Sequence, residues 1–133
     1  MSTRSLVGIL NSDNSVDAVY CHFDGYLSGV GAMLVDNYKD EAKIRKLLNL
    51  NRYLASIRKY VDEDDMPDPK DPNSDDITVV LDDDEPNNPY HYNTVKDYID
   101  DHGSRDTEYC YLYKDNEWKV FYSNRWLSVE NKL

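Results

Sequence analysis

Residues 20–26 read YCHFDGY and gather a thiol, an imidazole, a carboxylate and two phenols within seven positions. An imidazole two residues from a carboxylate is the pairing a general base needs when a second group orients it. In an extended strand, alternation puts Tyr20, His22 and Asp24 on one face and Val19, Cys21 and Phe23 on the other. The apolar set is then expected to face the core, so Cys21 points away from the imidazole. No G-x-S-x-G elbow supplies another nucleophile. The competing role for His22 and Asp24 is to hydrogen-bond the turn at Gly25. That role is preferred, and a small hydrolase using His22 and Asp24 ranks third among the functional readings.

Directly downstream, SGVGAM sets Gly29 and Gly31 where a helix begins, and unpaired amides at such a place bind phosphate. With Arg4, Tyr20, His22, Asp24 and Tyr26 these glycines define an alternative ligand site that would sequester a phosphorylated nucleotide. Close packing of helix on strand accounts for the small residues equally well. The stretch Asp71–Asp82, DPNSDDITVVLD, mimics the spacing of a calcium loop. It fails at position six, where Asp76 replaces glycine, and its last ligand is a short Asp. Cys21 and Cys110 lie in apolar runs and read as buried, reduced thiols. With no CxxC or HxxxH spacing, no metal site, cofactor or catalytic residue is expected.

These residues need a scaffold to position them. Arg4–Asn11 and Val16–Phe23 are β-branched, apolar runs joined by SDNS, which predicts a hairpin. Ser28 can cap a helix with Val30, Met33, Leu34 and Tyr38 on its inner side. Asp40 is a second N-cap. From there Ile44, Leu47, Leu50, Leu54, Ile57 and Val61 recur at helical spacing, predicting one long basic helix over 41–61 or two broken near Asn49–Asn51. Its outer face would carry Lys43, Arg45, Lys46, Arg52, Arg58 and Lys59. A short strand follows at Ile77–Leu81, then a helix capped by Asn93 with Val95, Tyr98 and Ile99 inward and Gly103 as its stop. Glu108–Tyr113 and Trp118–Tyr122 form a second hairpin across KDNE, and Arg125–Val129 adds an edge strand. The expected fold is α+β: an antiparallel sheet of about five strands, two to three helices on one face, and an acidic loop.

A chain of 133 residues fits one domain, with the acidic, Pro-containing segment 62–85 inserted between its halves. The chain holds 26 acids against 15 bases, a net charge of −11. Segment 62–85 alone contains twelve acids and one base, Lys70, so it carries the whole excess and the remainder balances to zero. The basic helix leading into it could neutralise part of it in cis. Such a charge disfavours direct binding to nucleic acid or anionic lipid. No run reaches the ~18 apolar residues of a membrane span, and the opening lacks a secretory signal, so a soluble intracellular protein is expected.

The opening STRS, the hairpin ending in YCHFDGY, GVG before a helix ending in NY, and the closing EYCYLYKDNEW with its D-x-x-W turn together resemble an uncharacterised family of small proteins. Its members are encoded by tailed bacteriophages, prophages and some plasmids. The resemblance covers both ends of the chain; the long basic helix and the acidic tract depart from it, and Phe23 stands where tryptophan is common. It implies a phage accessory protein in the cytoplasm of an infected bacterial host, and no catalytic residues. The leading expectation is a non-catalytic inhibitor of a host defence or nucleic-acid-processing enzyme, of restriction or anti-CRISPR type. It would grip a partner of basic surface by imitating a phosphate backbone. The contact residues would be Asp62, Glu63, Asp64, Asp65, Asp75 and Asp76, then Asp82, Asp83, Asp84 and Glu85, with Tyr111 and Tyr113 as aromatic anchors. Homodimerisation is left open.

Overall fold

A computed structural model describes residues 3–50, 52–66, 76–80, 90–104, 107–122 and 124–132, excepting the side chains of Glu63, Asn131 and Lys132. Both expected hairpins form. β1 (Ser5–Leu10) pairs antiparallel with β2 (Val16–Cys21). Their loop is closed by Asn11 N donating to Ser15 O at 2.8 Å, with Asn14 in the left-handed region at φ 70°. β6 (Tyr109–Lys114) and β7 (Glu117–Tyr122) meet across Asp115 and Asn116, whose φ values of 53° and 60° suit the primed turn that matches strand twist. β8 (Arg125–Ser128) extends this hairpin on the far side of β7.

The sheet is mixed rather than antiparallel and, among the described residues, has eight strands rather than about five, in the order β4-β3-β2-β1-β6-β7-β8 with β5 also on β2. The two hairpins join through β1 and β6, which run parallel from Ser5↔Tyr109 to Ile9↔Tyr113. SLVGIL and YCYLYK carry apolar side chains on both faces, and a strand covered on both sides belongs in the interior of a sheet.

The long helix over 41–61 is not present. α2 spans Glu41–Leu48, capped by the Asp40 carboxylate accepting from Lys43 N at 2.9 Å, and ends at Asn49. The chain then enters β3 (Leu54–Ser56), parallel to β2 through Cys21↔Leu54. Asparagines at 49 and 51 favour turns, and beyond them only a short run is available. The helical spacing of Leu54, Ile57 and Val61 was coincidental, yet all three enter the same core as Ile44 and Leu47. β4 (Val79–Val80) pairs with β3, and β5 (Tyr90–Tyr92) with the start of β2.

Helices cover both faces, not one. A π-helical turn (Leu27–Gly31), α1 (Ala32–Asn37), α2 and α4 (Val129–Lys132) cover the face bearing Val7, Ile9, Val19, Cys21, Tyr111 and Val120. Within this group Ser28 is not a cap: the turn starts one residue earlier and has no side-chain cap. α3 (Val95–Ser104) lies on the opposite face, where Tyr98 packs with Leu6, Val16, Ala18, Cys110 and Leu112. Its cap is Thr94, whose Oγ1 accepts from Asp97 N at 3.0 Å, rather than Asn93, and Gly103 lies inside the helix. No helix among the described residues is long and apolar enough to cross a membrane.

Candidate functional site

β2 delivers its end to a turn held by backbone bonds. The amides of His22 and Phe23 donate to the carbonyls of Leu54 and Ala55 at 2.8 and 3.0 Å. Two consecutive amides engaged on one neighbour break the alternation of the strand. Phe23, expected in the core, is therefore 42 % exposed. Asp24 then enters the left-handed region at φ 61° and turns away from His22. Their side chains have different partners: His22 Nδ1 and the Tyr20 hydroxyl share a hydrogen bond of 2.8 Å, while Asp24 Oδ1 accepts from the Tyr26 hydroxyl at 3.1 Å. The base-and-carboxylate pairing considered for His22 and Asp24 is thus not made. Beneath them Cys21 is buried, its thiol pushed up to about 12 by desolvation, and Sγ donates to Phe23 O at 3.4 Å.

The glycines here are packing residues. A Cβ on Gly29 would collide with the Asp24 carbonyl oxygen, and one on Gly31 would crowd the Tyr111 hydroxyl and Val129 at 3.3 Å. The amides considered for phosphate are occupied: Gly29 N and Gly31 N donate to Tyr26 O at 3.0 and 3.4 Å, and Val30 N to Asp24 O at 2.7 Å. Asp24, Tyr26 and Gly29 do line a cleft of about 430 Å³, closed on its other side by Ser56, Arg58 and Asp76. Two carboxylates at its wall oppose a phosphate and offset what Arg58 would attract. Arg4, Tyr20, His22 and Gly31 lie outside the lining. The carbonyl of Arg4 accepts from Glu108 N at 2.9 Å.

The start of the acidic segment is built differently. Beyond β3 the chain makes a 3₁₀ turn at Glu63–Asp65, closed by Asp62 Oδ1 accepting from Asp65 N at 3.1 Å. Asp65 Oδ2 accepts from Val61 N at 3.0 Å and meets Lys43 Nζ at 3.4 Å, while Asp62 meets Lys46 Nζ at 3.2 Å. Lys43 is itself placed over the Tyr38 ring at 4.7 Å and donates to the Lys59 carbonyl at 2.7 Å. Two lysines of α2 therefore fasten Asp62 and Asp65, although the basic helix over 41–61 expected to do so is not formed. Arg45 instead reaches Asp17 at 3.1 Å and Glu41 at 3.2 Å. Asp64 and Asp76 are exposed. Asp75, Asp82, Asp83, Asp84 and Glu85, and most of the calcium-like stretch Asp71–Asp82, lie outside the described residues, as does the side chain of Glu63.

The aromatic anchors are corrected by burial. Tyr111 is fully buried and donates to the Gly25 carbonyl at 2.6 Å; Tyr113, 8 % exposed, donates to Lys39 O and packs on Trp118. Both face the core under α1 and α2 and are withdrawn from any contact surface. A row of half-buried rings that the sequence did not reveal lies on the other face. Tyr20 meets Tyr53 edge-on at 5.7 Å, the Tyr90 hydroxyl donates to that of Tyr53 at 2.8 Å, and Tyr92 continues to Tyr98 at 5.2 Å. These rings come from distant segments; Tyr20 and Tyr98 were singled out from the sequence, whereas Tyr53, Tyr90 and Tyr92 were missed. Among the described residues no group of three or more His, Cys, Asp or Glu could hold a metal ion.

No protein-family model matches the chain, and no curated protein or solved structure matches it either.

Proposed function

We propose that this chain is a non-catalytic binding protein that captures a protein of basic surface through the acidic segment 62–85. The phage context suggested by the sequence resemblance makes a host nucleic-acid-processing or defence enzyme the natural target, in the bacterial cytoplasm. The observation that supports this most is the distribution of charge: the whole excess of −11 lies in that segment, beside a body that balances to zero. Pairing within the molecule does not remove the excess. Each lysine held by Asp62 or Asp65 is withdrawn from the balanced body, so the field at a distance remains that of the full surplus. Such a field speeds capture of a cationic cleft and weakens as salt screens it over ~8–10 Å.

The test is affinity capture from bacterial lysate with the wild-type chain and a variant carrying Asn and Gln for the acids of 62–85, with bound proteins identified and assayed. A nucleic-acid enzyme retained at low salt, displaced by added DNA and lost with the neutralised variant is the expected result. Retention of the same enzyme by the neutralised chain overturns the proposal.

A further inference from the structure

Among the described residues the backbone of Asp76–Val80 is bonded along one side. The Asp76 carbonyl accepts from Tyr60 N at 2.8 Å, Thr78 N donates to Tyr60 O at 2.9 Å, and Thr78 Oγ1 accepts from Arg58 N at 3.0 Å. Val79 and Val80 then pair with Ser56 and Leu54, and among the described residues β4 is the terminal strand of its sheet. Successive residues of an extended chain aim their backbone groups to opposite sides. Ile77, between the inward bonds of Asp76 and Thr78, therefore turns its N–H and C=O outward, and neither finds a partner among the described residues. Val79 and Val80 are 42 % and 40 % exposed.

An apolar edge whose outward groups find no partner among the described residues is a template for another strand, and soluble proteins usually guard such edges with lysine or proline. This edge carries the opposite charge. Asp76 is exposed at its start, and in sequence the edge lies within the segment 62–85 that holds the whole acidic excess. A second copy of the chain would bring like charge against like. We infer that the outer edge of Asp76–Val80 accepts an extended, lysine- or arginine-bearing segment of the partner protein as an added β-strand. Main-chain bonds would supply the affinity and the acids would select the sequence. This rests on the anionic capture proposed above and names the form of the captured element.

The probe is a short alternating lysine–valine peptide, compared with the same peptide N-methylated at alternate backbone amides, by fluorescence anisotropy at low salt. Methylation removes the donors of an added strand and leaves the charge unchanged. The unmethylated peptide should bind at least about tenfold tighter. Ile77→Pro, which removes an outward N–H and keeps the bonds to Tyr60, should erase that difference. The peptide comparison uses the wild-type chain, so it stands even where the proline variant fails to fold. Equal binding of both peptides overturns strand addition and leaves capture by charge in place. Failure of both peptides to bind overturns the two readings together.

Discussion

The hydroxyl of Tyr111 reaches from the middle of β6 to the carbonyl of Gly25, 2.6 Å away, and joins the central sheet to the turn that follows β2. Gly25 is buried and its amide is bonded in turn to Thr3 O at 2.8 Å, so the whole turn hangs on groups far away in sequence. Tyr111→Phe keeps the ring and leaves that carbonyl unsatisfied. Such a loss costs about 1–3 kcal/mol, read as a lower urea midpoint at unchanged slope. An unchanged midpoint would show that the bond is dispensable.

Two glycines should respond in opposite directions to alanine. Gly29→Ala drives a methyl into the Asp24 carbonyl, and overpacking of this kind destabilises by ~1–3 kcal/mol. Gly103 lies in α3 with nothing within 4 Å of an added Cβ, and Gly103→Ala should stabilise by roughly 0.5–1 kcal/mol through helix propensity. Thermal unfolding of the pair checks both signs at once.

His102, buried against Phe121 and hydrogen-bonded to Thr107 at 2.8 Å, has its pKa lowered below 6.5 by desolvation. The unfolded chain binds this proton more readily than the folded one. Its contribution to stability is therefore present above the unfolded value of 6.5 and is lost as pH falls through the folded value. Unfolding measured from neutral pH downward should show a loss of stability that is smaller in His102→Gln. Identical pH slopes for the two proteins would contradict the assignment.

Cys21 and Cys110 both have thiols raised to about 12 by burial, and they sit on opposite faces of the sheet. A thiol-specific reagent at neutral pH should label neither in the native protein and both after denaturation. Rapid labelling of the folded chain would mean that one face opens.

Lys43 ties α2 to two later segments, through Asp65 and through the Lys59 carbonyl. Lys43→Met keeps much of the apolar stem and removes both links, at a cost of about 1 kcal/mol given the partial exposure of the pair. Asp65→Ala should accelerate hydrogen exchange at the Val61 amide, which that carboxylate accepts. Unaltered exchange would show the amide to be protected by other means.

Local chemistry was readable in the residues and lateral arrangement was not. The KDNE turn, the Asp40 cap and the buried positions Val30, Leu34 and Tyr38 follow from short-range rules, and each stands in the structure. The parallel contact of β1 with β6 has no local signature, because it depends on which apolar strands compete best for the centre of the sheet. β3 was hidden since Leu54, Ile57 and Val61 recur at a helical period, and a strand of three residues is too short to show an alternation of its own. At the candidate site, alternation correctly put Tyr20 beside His22. It failed at Asp24, where the left-handed backbone reorients the side chain. Tyr111 and Tyr113 looked available because tyrosine suits interfaces as well as cores, and only the helices above them decide between the two.

The parallel register that starts at Ser5↔Tyr109 also governs how the chain reaches its native state. Each hairpin closes a short loop and can form in ~1–10 μs, whereas uniting them requires the ends of almost the entire polypeptide to meet. The docking of the two ribbons is therefore the expected slow event of folding, which stopped-flow refolding would check. Because closure entropy grows only logarithmically, doubling the length of a flexible connection costs just ~0.6 kcal/mol, so loops between the core elements of the middle can lengthen in evolution with little penalty to assembly.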